Sequence, residues 1–349
     1  MRPRPAATLL LGAVLALLTA PLAVAAPPQP VDRASNTASL DIAPRLQWNA
    51  NYGYCGETSL ISAGMHFGQY ASQWTVRDLA SPGVDQTEQE SQLLLGVNDL
   101  AAATRMRLSA IAYDSQGQRS TPQFLAWVKS QIVRGWPVII GVLINSTESD
   151  IAGPGDEEYD HIVPVLGVSS ASRLSAGDRR YRPTDVLVFS DNDGDVPSSI
   201  YRPTFRAFQR SRSSANQAGA PMYSLLNHPR NYGIAITGIQ DPEHVTIPVR
   251  LTSSLDGEGA QEQERLTAPP TPLPMVLTAT VTIPDQAVAY RVYAYDDFEK
   301  VPVSDFNAAA GNAIASWTIP PGAGPTWTMQ IPIMSNQTRA FRAVAVTAP

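Results

Sequence analysis

The hydrophobic pattern of the chain changes near residue 245, and this change constrains the fold more than any other feature. From there to the C-terminus, six runs alternate apolar and polar residues and are separated by turns that contain Gly or Pro. A period of two is typical of half-buried β-strands. The runs are VTIPVRLTSS, PMVLTATVTI, VAYRVYAYDDF, IASWTI, PTWTMQIPIM and FRAVAVTA. We therefore predict a C-terminal all-β sandwich over residues 245–349, with an accessory binding or stabilising role.

The segment before this change mixes two kinds of pattern and predicts an α+β domain over residues 41–240. Apolar residues recur with helical spacing in residues 55–74, 88–105 and 122–134, whereas short apolar runs typical of buried strands occupy residues 161–168, 186–190 and 231–239. Residues 209–220 are polar, and we expect them to form a loop beside a cleft.

The first residues indicate export. Arg2 and Arg4 precede an apolar run, and small residues and then a Pro-rich stretch follow it. This layout predicts a secretory signal peptide over residues 1–26 and a flexible linker over residues 27–40. The alternative is an uncleaved membrane anchor, but the run is shorter than the roughly 20 residues that a spanning helix needs. We therefore expect a secreted, extracellular protein.

Net charge limits the partners. The formal charge of −6 at pH 7 argues against nucleic acid and anionic membrane surfaces. Beyond the signal peptide no segment is long and apolar enough to predict a membrane span. A surface or carbohydrate ligand is the candidate partner of the C-terminal domain.

Cys55 is the only cysteine of the chain. Exported proteins usually pair their cysteines in disulfides, and a lone one is an intermolecular link, a reactive thiol or a small buried apolar residue. Cys55 follows a Gly-, Asn- and Tyr-rich stretch and precedes a helical pattern. The amino end of a helix stabilises an anion and lowers the pKa of a thiol. The position therefore favours a nucleophile.

A nucleophilic thiol needs a base, and the chain contains four histidines. His66 lies 11 residues farther along the same predicted helix, about 16 Å from Cys55, and is expected to be partly exposed. His228 falls in a turn-like stretch and His244 near the predicted domain junction. His161 begins a buried-strand pattern after an acidic, Gly-containing loop, so it is the best-placed base. The alternative for His161 is a structural hydrogen bond at the end of a loop. Pro164 suggests that its strand is an edge strand or carries a bulge.

A third side chain should orient the imidazole. The predicted strand VLVFS ends at Asp191 and Asn192, and either could accept a hydrogen bond from His161 Nδ1. Asp191, Asp193 and Asp195 also resemble the start of a calcium-binding loop. That loop requires Gly at its sixth and Glu at its twelfth position, and the sequence has neither there. We therefore predict no metal site; a looser cation site is the alternative, and Asp193 and Asp195 also fit a plain acidic turn.

The order Cys55, His161, Asp191/Asn192 resembles that of papain-fold cysteine peptidases, most closely the bacteriocin-processing-like (C39-like) branch. The motifs that carry the resemblance are YCGETS, GWPVIIGV, DHIVPVLGV and VLVFSDN, within residues 41–239. The resemblance implies a papain-like fold with an N-terminal helical part and an antiparallel sheet. It also implies that a Gln upstream of the Cys contributes to the oxyanion hole. Gln47 is the favoured residue because it is a glutamine, although it lies eight residues before Cys55, farther than is usual in the family. Asn49 is the reserve because its distance from Cys55 along the chain is closer to the usual one.

Three functions fit these features. The first is a secreted cysteine peptidase, a thiol protease that acts on a peptide or protein substrate through a Cys-His-Asp/Asn triad and a covalent thioester intermediate. It is expected to need no cofactor. The second is a non-catalytic secreted binding protein on the same fold. The third is a thiol-dependent amidase or transglutaminase. The aromatic residues expected to form the cleft walls are Trp48, Tyr52, Tyr54 and Trp136, although core packing is the alternative for each.

Overall fold

The computed structural model describes residues 36–48, 50–115, 121–144, 159–192, 200–217, 231–256 and 271–346. Within these ranges the chain combines five α-helices with antiparallel sheets, and this confirms the coarse prediction of a mixed fold. The predicted signal peptide and most of the predicted linker lie outside the described residues. No helix in the described ranges is both long enough and apolar enough to cross a bilayer.

The described residues form five α-helices and fifteen β-strands. The helices are α1 (Cys55–His66), α2 (Gln73–Ala80), α3 (Asp99–Arg105), α4 (Thr121–Val133) and α5 (Phe205–Gln217). The strands are β1 (Thr37–Ser39), β2 (Gln69–Tyr70), β3 (Leu108–Asp114), β4 (Val138–Ile144), β5 (Tyr159–Ser169), β6 (Val186–Ser190), β7 (Ile200–Tyr201), β8 (Tyr232–Ile239), β9 (Thr246–Ile247), β10 (Val249–Ser253), β11 (Pro274–Thr282), β12 (Tyr290–Tyr295), β13 (Ala315–Ile319), β14 (Thr326–Met334) and β15 (Arg339–Ala345).

The first sheet carries α1 and has the strand order β3-β8-β4-β5-β6-β7, with β1 added on β5. Strand β5 lies inside this sheet, and Ile162, Val163 and Val165 are all buried. A strand covered on both faces needs such a continuous apolar run. Helix α1 packs against β5, and this contact brings the start of α1 near His161.

Pro164 lies inside β5, and its partner on β4 is Ile139 in a regular register. The prediction of an edge strand is wrong, because β5 lies between β4 and β6 in the sheet. The register with β6 does shift, but between Val165 and Gly167. The irregularity is therefore at Leu166, two residues beyond the proline, instead of at Pro164 as predicted.

The C-terminal part forms two further antiparallel sheets. One has the order β10-β11-β14, and the other has the order β13-β12-β15-β2 with β9 also paired to β15. Each of the six alternating runs contains at least one of these strands. Strand β2 comes from the segment directly after α1, where Tyr70 pairs with Arg339. The domain boundary near residue 240 stays a prediction, and the two parts share a sheet across it.

Three local predictions were wrong. The helix that starts at Cys55 ends at His66 instead of continuing to Trp74. Gly68 follows with a φ of 75°, a left-handed conformation that glycine adopts without steric cost and that ends the helix. The helical pattern of residues 88–105 contains only a short 3₁₀ turn (Gln89–Ser91) and α3. The predicted polar loop over residues 209–220 is helical as far as Gln217, because α5 occupies most of it.

Candidate active site

Cys55 is the first residue of α1, and its side chain is half-buried. The first N–H groups of a helix have no partners within the helix and carry its partial positive charge. Helix amino ends of this kind generally stabilise a thiolate relative to the thiol. The residue is thus partly exposed, and it also packs against the main hydrophobic cluster.

The backbone before Cys55 turns sharply through three residues with positive φ. The angles are 48° at Asn51, 66° at Tyr52 and 85° at Gly53. Only the glycine adopts this conformation without steric cost, and each of the other two costs on the order of 1 kcal/mol. Gln92 Nε2 donates to Tyr52 O at 2.6 Å and helps to hold the turn. This turn reverses the direction of the backbone directly before α1 begins at Cys55.

Gly56 allows another backbone segment to approach the start of α1. A Cβ built on Gly56 would lie 2.3 Å from the carbonyl oxygen of Leu93. Because this neighbour is backbone and not a flexible side chain, a larger residue would displace one of the two segments. Close packing against Leu93 therefore explains why a glycine follows Cys55.

Asn192 connects the thiol helix to the histidine strand. Its Nδ2 group donates to Cys55 O at 3.0 Å and to Ile162 O at 3.1 Å. Ser59 Oγ reinforces this bridge, since it lies 2.8 Å from Cys55 O and 3.1 Å from Ile162 O. Residues 55 and 162, far apart in sequence, are thus tied together by one buried amide and one hydroxyl.

His161 is buried, and its ring is oriented by both predicted partners. Its Nε2 lies 2.5 Å from Asn192 Oδ1 and 3.3 Å from Asp191 Oδ1. We expected the acceptor to face Nδ1, so this assignment was wrong: the nitrogen that faces Asn192 and Asp191 is Nε2. The structure thus brings Cys55, His161, Asp191 and Asn192 into one cluster.

Gln47 joins the same cluster through two contacts. Its backbone N–H donates to Asn192 O at 2.6 Å, and its side-chain Oε1 accepts from the backbone N–H of Tyr54 at 2.8 Å. The Oε1 contact orients the amide, so its Nε2 donor points away from the Tyr54 nitrogen. The reserve residue Asn49 lies outside the described residues.

The aromatic residues near Cys55 do not all line a cleft. Trp48 and Tyr54 are fully buried and meet edge to face at 4.9 Å, so the prediction that they form cleft walls was wrong. Tyr52 is 64% exposed, whereas Trp136 is half-buried beside Arg134. Of the four predicted wall residues, only Tyr52 presents most of its side chain to solvent.

Two charged neighbours of the start of α1 were not predicted. Arg77, on α2, is fully buried, and its Nε donates to Glu57 Oε1 at 2.7 Å. Glu57 lies in the first turn of α1 and also accepts from Leu93 N at 3.1 Å. Burial raises the pKa of Glu57, and the charge of Arg77 opposes that rise. Glu57 is polar at a position of the predicted helix start, but nothing local in the sequence indicates that its partner is residue 77.

The other histidines are separate from the cluster. His66 is buried, not partly exposed as predicted, and its Nε2 lies 3.1 Å from Gly135 O. His244 is exposed, and His228 lies outside the described residues. Among the residues that the structure describes, no group of His, Cys, Asp and Glu could hold a metal ion. Asp193 and Asp195 of the rejected calcium loop lie outside those residues.

A cavity of about 140 Å³ lies at the opposite end of α1 from Cys55. Ser62 and His66 line it from α1, and Arg250 and Thr252 line it from β10. Because α1 spans 12 residues, or about 18 Å, this cavity is not part of the thiol site.

The chain was compared with protein-family models and with curated proteins, and neither comparison found a match.

Proposed function

We propose that the protein is a secreted thiol-dependent hydrolase, a cysteine peptidase that cleaves peptide bonds through Cys55, His161 and Asn192. The observation that carries the proposal is the double role of Asn192: its Oδ1 lies 2.5 Å from His161 Nε2 while its Nδ2 bonds Cys55 O at 3.0 Å. A nucleophile, a base and a side chain that orients the base form the arrangement used in covalent acyl transfer.

In the proposed reaction, His161 Nδ1 holds the proton of the Cys55 thiol, so the sulfur is a thiolate beside an imidazolium. The sulfur attacks the carbonyl carbon of the substrate, and the carbonyl oxygen becomes an oxyanion. The C–N bond then breaks as His161 gives its proton to the leaving amine, which leaves a thioester on Cys55. Water, deprotonated by His161, attacks the thioester and releases the acid and the thiol.

The Cys55 backbone N–H and the Gln47 side-chain amide are the proposed oxyanion donors. The first N–H of a helix has no intrahelical acceptor, and Gln47 is held against the same turn by Tyr54 N–H at 2.8 Å. Donors of this kind typically contribute about 2.7–4 kcal/mol each to the transition state. Asp191 Oδ1 lies 3.3 Å from His161 Nε2 and helps to orient the ring.

The finer architecture is part of the same proposal. A thiol at the start of a helix that packs on an antiparallel sheet supports a papain-like fold of the C39-like kind. Two antiparallel sheets with buried residues in one cluster support a β-sandwich for the C-terminal part. The N-terminal sequence supports export through the predicted signal peptide.

The first test measures the reactivity of Cys55. Iodoacetamide should label Cys55 at pH 7 at least about tenfold faster than it labels the denatured chain, because a depressed thiol pKa increases the thiolate fraction. His161→Ala should abolish this acceleration, whereas His244→Ala, which changes an exposed histidine, should retain it. Intact mass locates the single label, since the chain has one cysteine. Labelling no faster than in the denatured chain would reject the enzymatic proposal.

The second test identifies the reaction. A peptide library incubated with the protein and analysed by mass spectrometry should show new termini that are absent with Cys55→Ser. Release of ammonia or amine from side-chain amides, with the peptide backbone left intact, would instead support the amidase or transglutaminase function. No turnover of any substrate despite fast labelling would favour a binding protein on this fold.

A further inference from the structure

The peptide unit between Gly53 and Tyr54 is held on both of its sides. Its N–H, that of Tyr54, donates to Gln47 Oε1 at 2.8 Å. Its carbonyl, that of Gly53, accepts from Nη2 of Arg77. The orientation of this one peptide plane therefore fixes where the Gln47 amide points.

Arg77 is itself rigidly anchored. Its Nε donates to Glu57 Oε1 at 2.7 Å, its Nη1 donates to Asn51 O at 2.7 Å, and its guanidinium lies 3.5 Å from the centre of the Tyr54 ring. The side chain is fully buried. A planar guanidinium can serve three acceptors in fixed directions, which a lysine ammonium on a flexible stem cannot reproduce.

The contacts of Arg77 bracket the nucleophile. Asn51 and Gly53 precede Cys55 in the turn with positive φ, and Glu57 follows it in the first turn of α1. A Cβ on Gly53 would lie 3.1 Å from Gln47 Oε1, which shows how closely the turn and the amide fit. Because the turn is strained at Asn51 and Tyr52, its shape depends on such outside contacts.

We infer that Arg77 is a positioning residue of the oxyanion hole and acts through the Gly53–Tyr54 peptide on the Gln47 amide. This inference rests on the proposed function. It assigns Arg77 to acyl transfer and not to the reactivity of the thiol, because the donor that it positions acts on the tetrahedral oxyanion. Alkylation of Cys55 forms no such oxyanion, so the two reactions separate this role from a merely structural one.

The experiment compares two reactions of Cys55 in the full chain. One is alkylation by iodoacetamide over a range of pH. The other is acyl transfer from an alkyl thioester of N-acetylglycine, followed as acyl-enzyme by intact mass after an acid quench. In Arg77→Lys, acyl transfer should fall about 100- to 1,000-fold, as for loss of an oxyanion donor, while the alkylation rate and its pH profile stay within about twofold of wild type.

Gln47→Ala supplies the benchmark. It should show the same loss of acyl transfer, and the double variant Gln47→Ala/Arg77→Lys should lose no more than Gln47→Ala alone, because both changes disable one donor. Losses that multiply in the double variant, or equal losses in alkylation and acyl transfer, would overturn the inference.

A second variant keeps the inference testable if Arg77→Lys does not fold. Gly53→Ala leaves Arg77 in place and pushes the turn against Gln47 Oε1, so it should also reduce acyl transfer and spare alkylation. Unchanged acyl transfer in Gly53→Ala would contradict the inference. If wild-type Cys55 reacts with neither reagent faster than the denatured chain, the proposed function fails; if wild type reacts and these variants match it, only the role of Arg77 fails.

Discussion

Asn192 serves two sides of the site with one amide. The oxygen end lies 2.5 Å from His161 Nε2, and the nitrogen end lies within 3.1 Å of Cys55 O, Ile162 O and Ser59 Oγ. A carboxylate could accept from the imidazole equally well, but it could not donate to the carbonyl of Cys55. The chemistry of the cluster therefore requires an amide at residue 192 and tolerates change more readily at residue 191.

Asn192→Ala should be more damaging than Asp191→Asn. The alanine leaves the His161 ring without its nearest contact and removes a donor from two buried carbonyls, at a cost of about 1–3 kcal/mol in the free energy of unfolding. We expect labelling of Cys55 by iodoacetamide to slow about tenfold or more, because an imidazole that is no longer held in place deprotonates the thiol less efficiently. Asp191→Asn removes a charge but retains the contact between His161 and Asn192, so the labelling rate should fall less in this variant.

Labelling kinetics and urea denaturation measure both effects. Labelling is compared only for the folded fraction, so that stability and reactivity are separated. The reverse order, with Asp191→Asn slower than Asn192→Ala, would make the aspartate the residue that orients His161.

At the scale of elements, α1 connects two environments. Its first residue is the thiol, whereas its last residue, His66, lies against Gly135 O and the cavity beside β10. The pattern of apolar residues predicts where this helix starts but overestimates its length. Apolar residues at positions 67, 70, 71 and 74 keep the helical spacing although the chain has already turned at Gly68. Periodicity reports which residues are buried and does not report the direction of the backbone.

The same limit explains what the sequence could and could not predict about the site. The sequence predicted that Cys55 and His161 lie close to Asp191 or Asn192, because the chain has a single thiol and few polar residues at strand ends. The structure brings all four residues together. Arg77 was missed because its partners lie 20 or more residues away, at Asn51, Gly53 and Glu57. Helix α5 was missed because its residues after Phe208 are mostly polar, and only its first turn has large buried apolar side chains.

His66 should make the fold sensitive to acid. Burial, and then the charge of Arg250, lowers the pKa of His66 from 6.5 to about 3. Below pH 6.5 the unfolded chain therefore binds a proton at His66 that the folded chain does not bind. The free energy of unfolding should fall as the pH drops from about 6.5 towards 3, by at most about 1.4 kcal/mol per pH unit from this group.

Comparison of variants isolates this contribution from the carboxylates that titrate in the same range. Urea denaturation between pH 7 and 5 should give a shallower pH dependence for His66→Gln than for wild type. His244→Gln, at an exposed histidine, should match wild type. Parallel curves for wild type and His66→Gln would show that His66 can take up its proton in the folded state.

At the scale of the whole molecule, the thiol-bearing part and the C-terminal sheets are joined by backbone. Strand β2 pairs with β15, Phe341 N donates to Gly68 O at 2.9 Å, and Tyr70 Oη donates to Ser335 O at 2.7 Å. One hydrophobic cluster also continues from Leu60 and Ile61 of α1 to Val292 and Phe341 of the C-terminal sheet. An accessory domain attached only by a linker would show neither feature.

We therefore expect that the segment 27–244 does not fold by itself. Without the C-terminal sheets, β2 would be an unpaired strand, and apolar side chains of α1 that those sheets now cover would be exposed to solvent. Each Å² of buried apolar area contributes about 25 cal/mol to the free energy of folding. The truncated chain should unfold without a cooperative transition and should react with iodoacetamide at the rate of the denatured protein. Tyr70→Phe, which removes one hydrogen bond and keeps every sheet, should cost only about 1 kcal/mol and leave the labelling rate unchanged. A truncated chain that unfolds cooperatively and retains fast labelling would mean that the shared sheet is dispensable and that the predicted boundary near residue 240 separates two independent folding units.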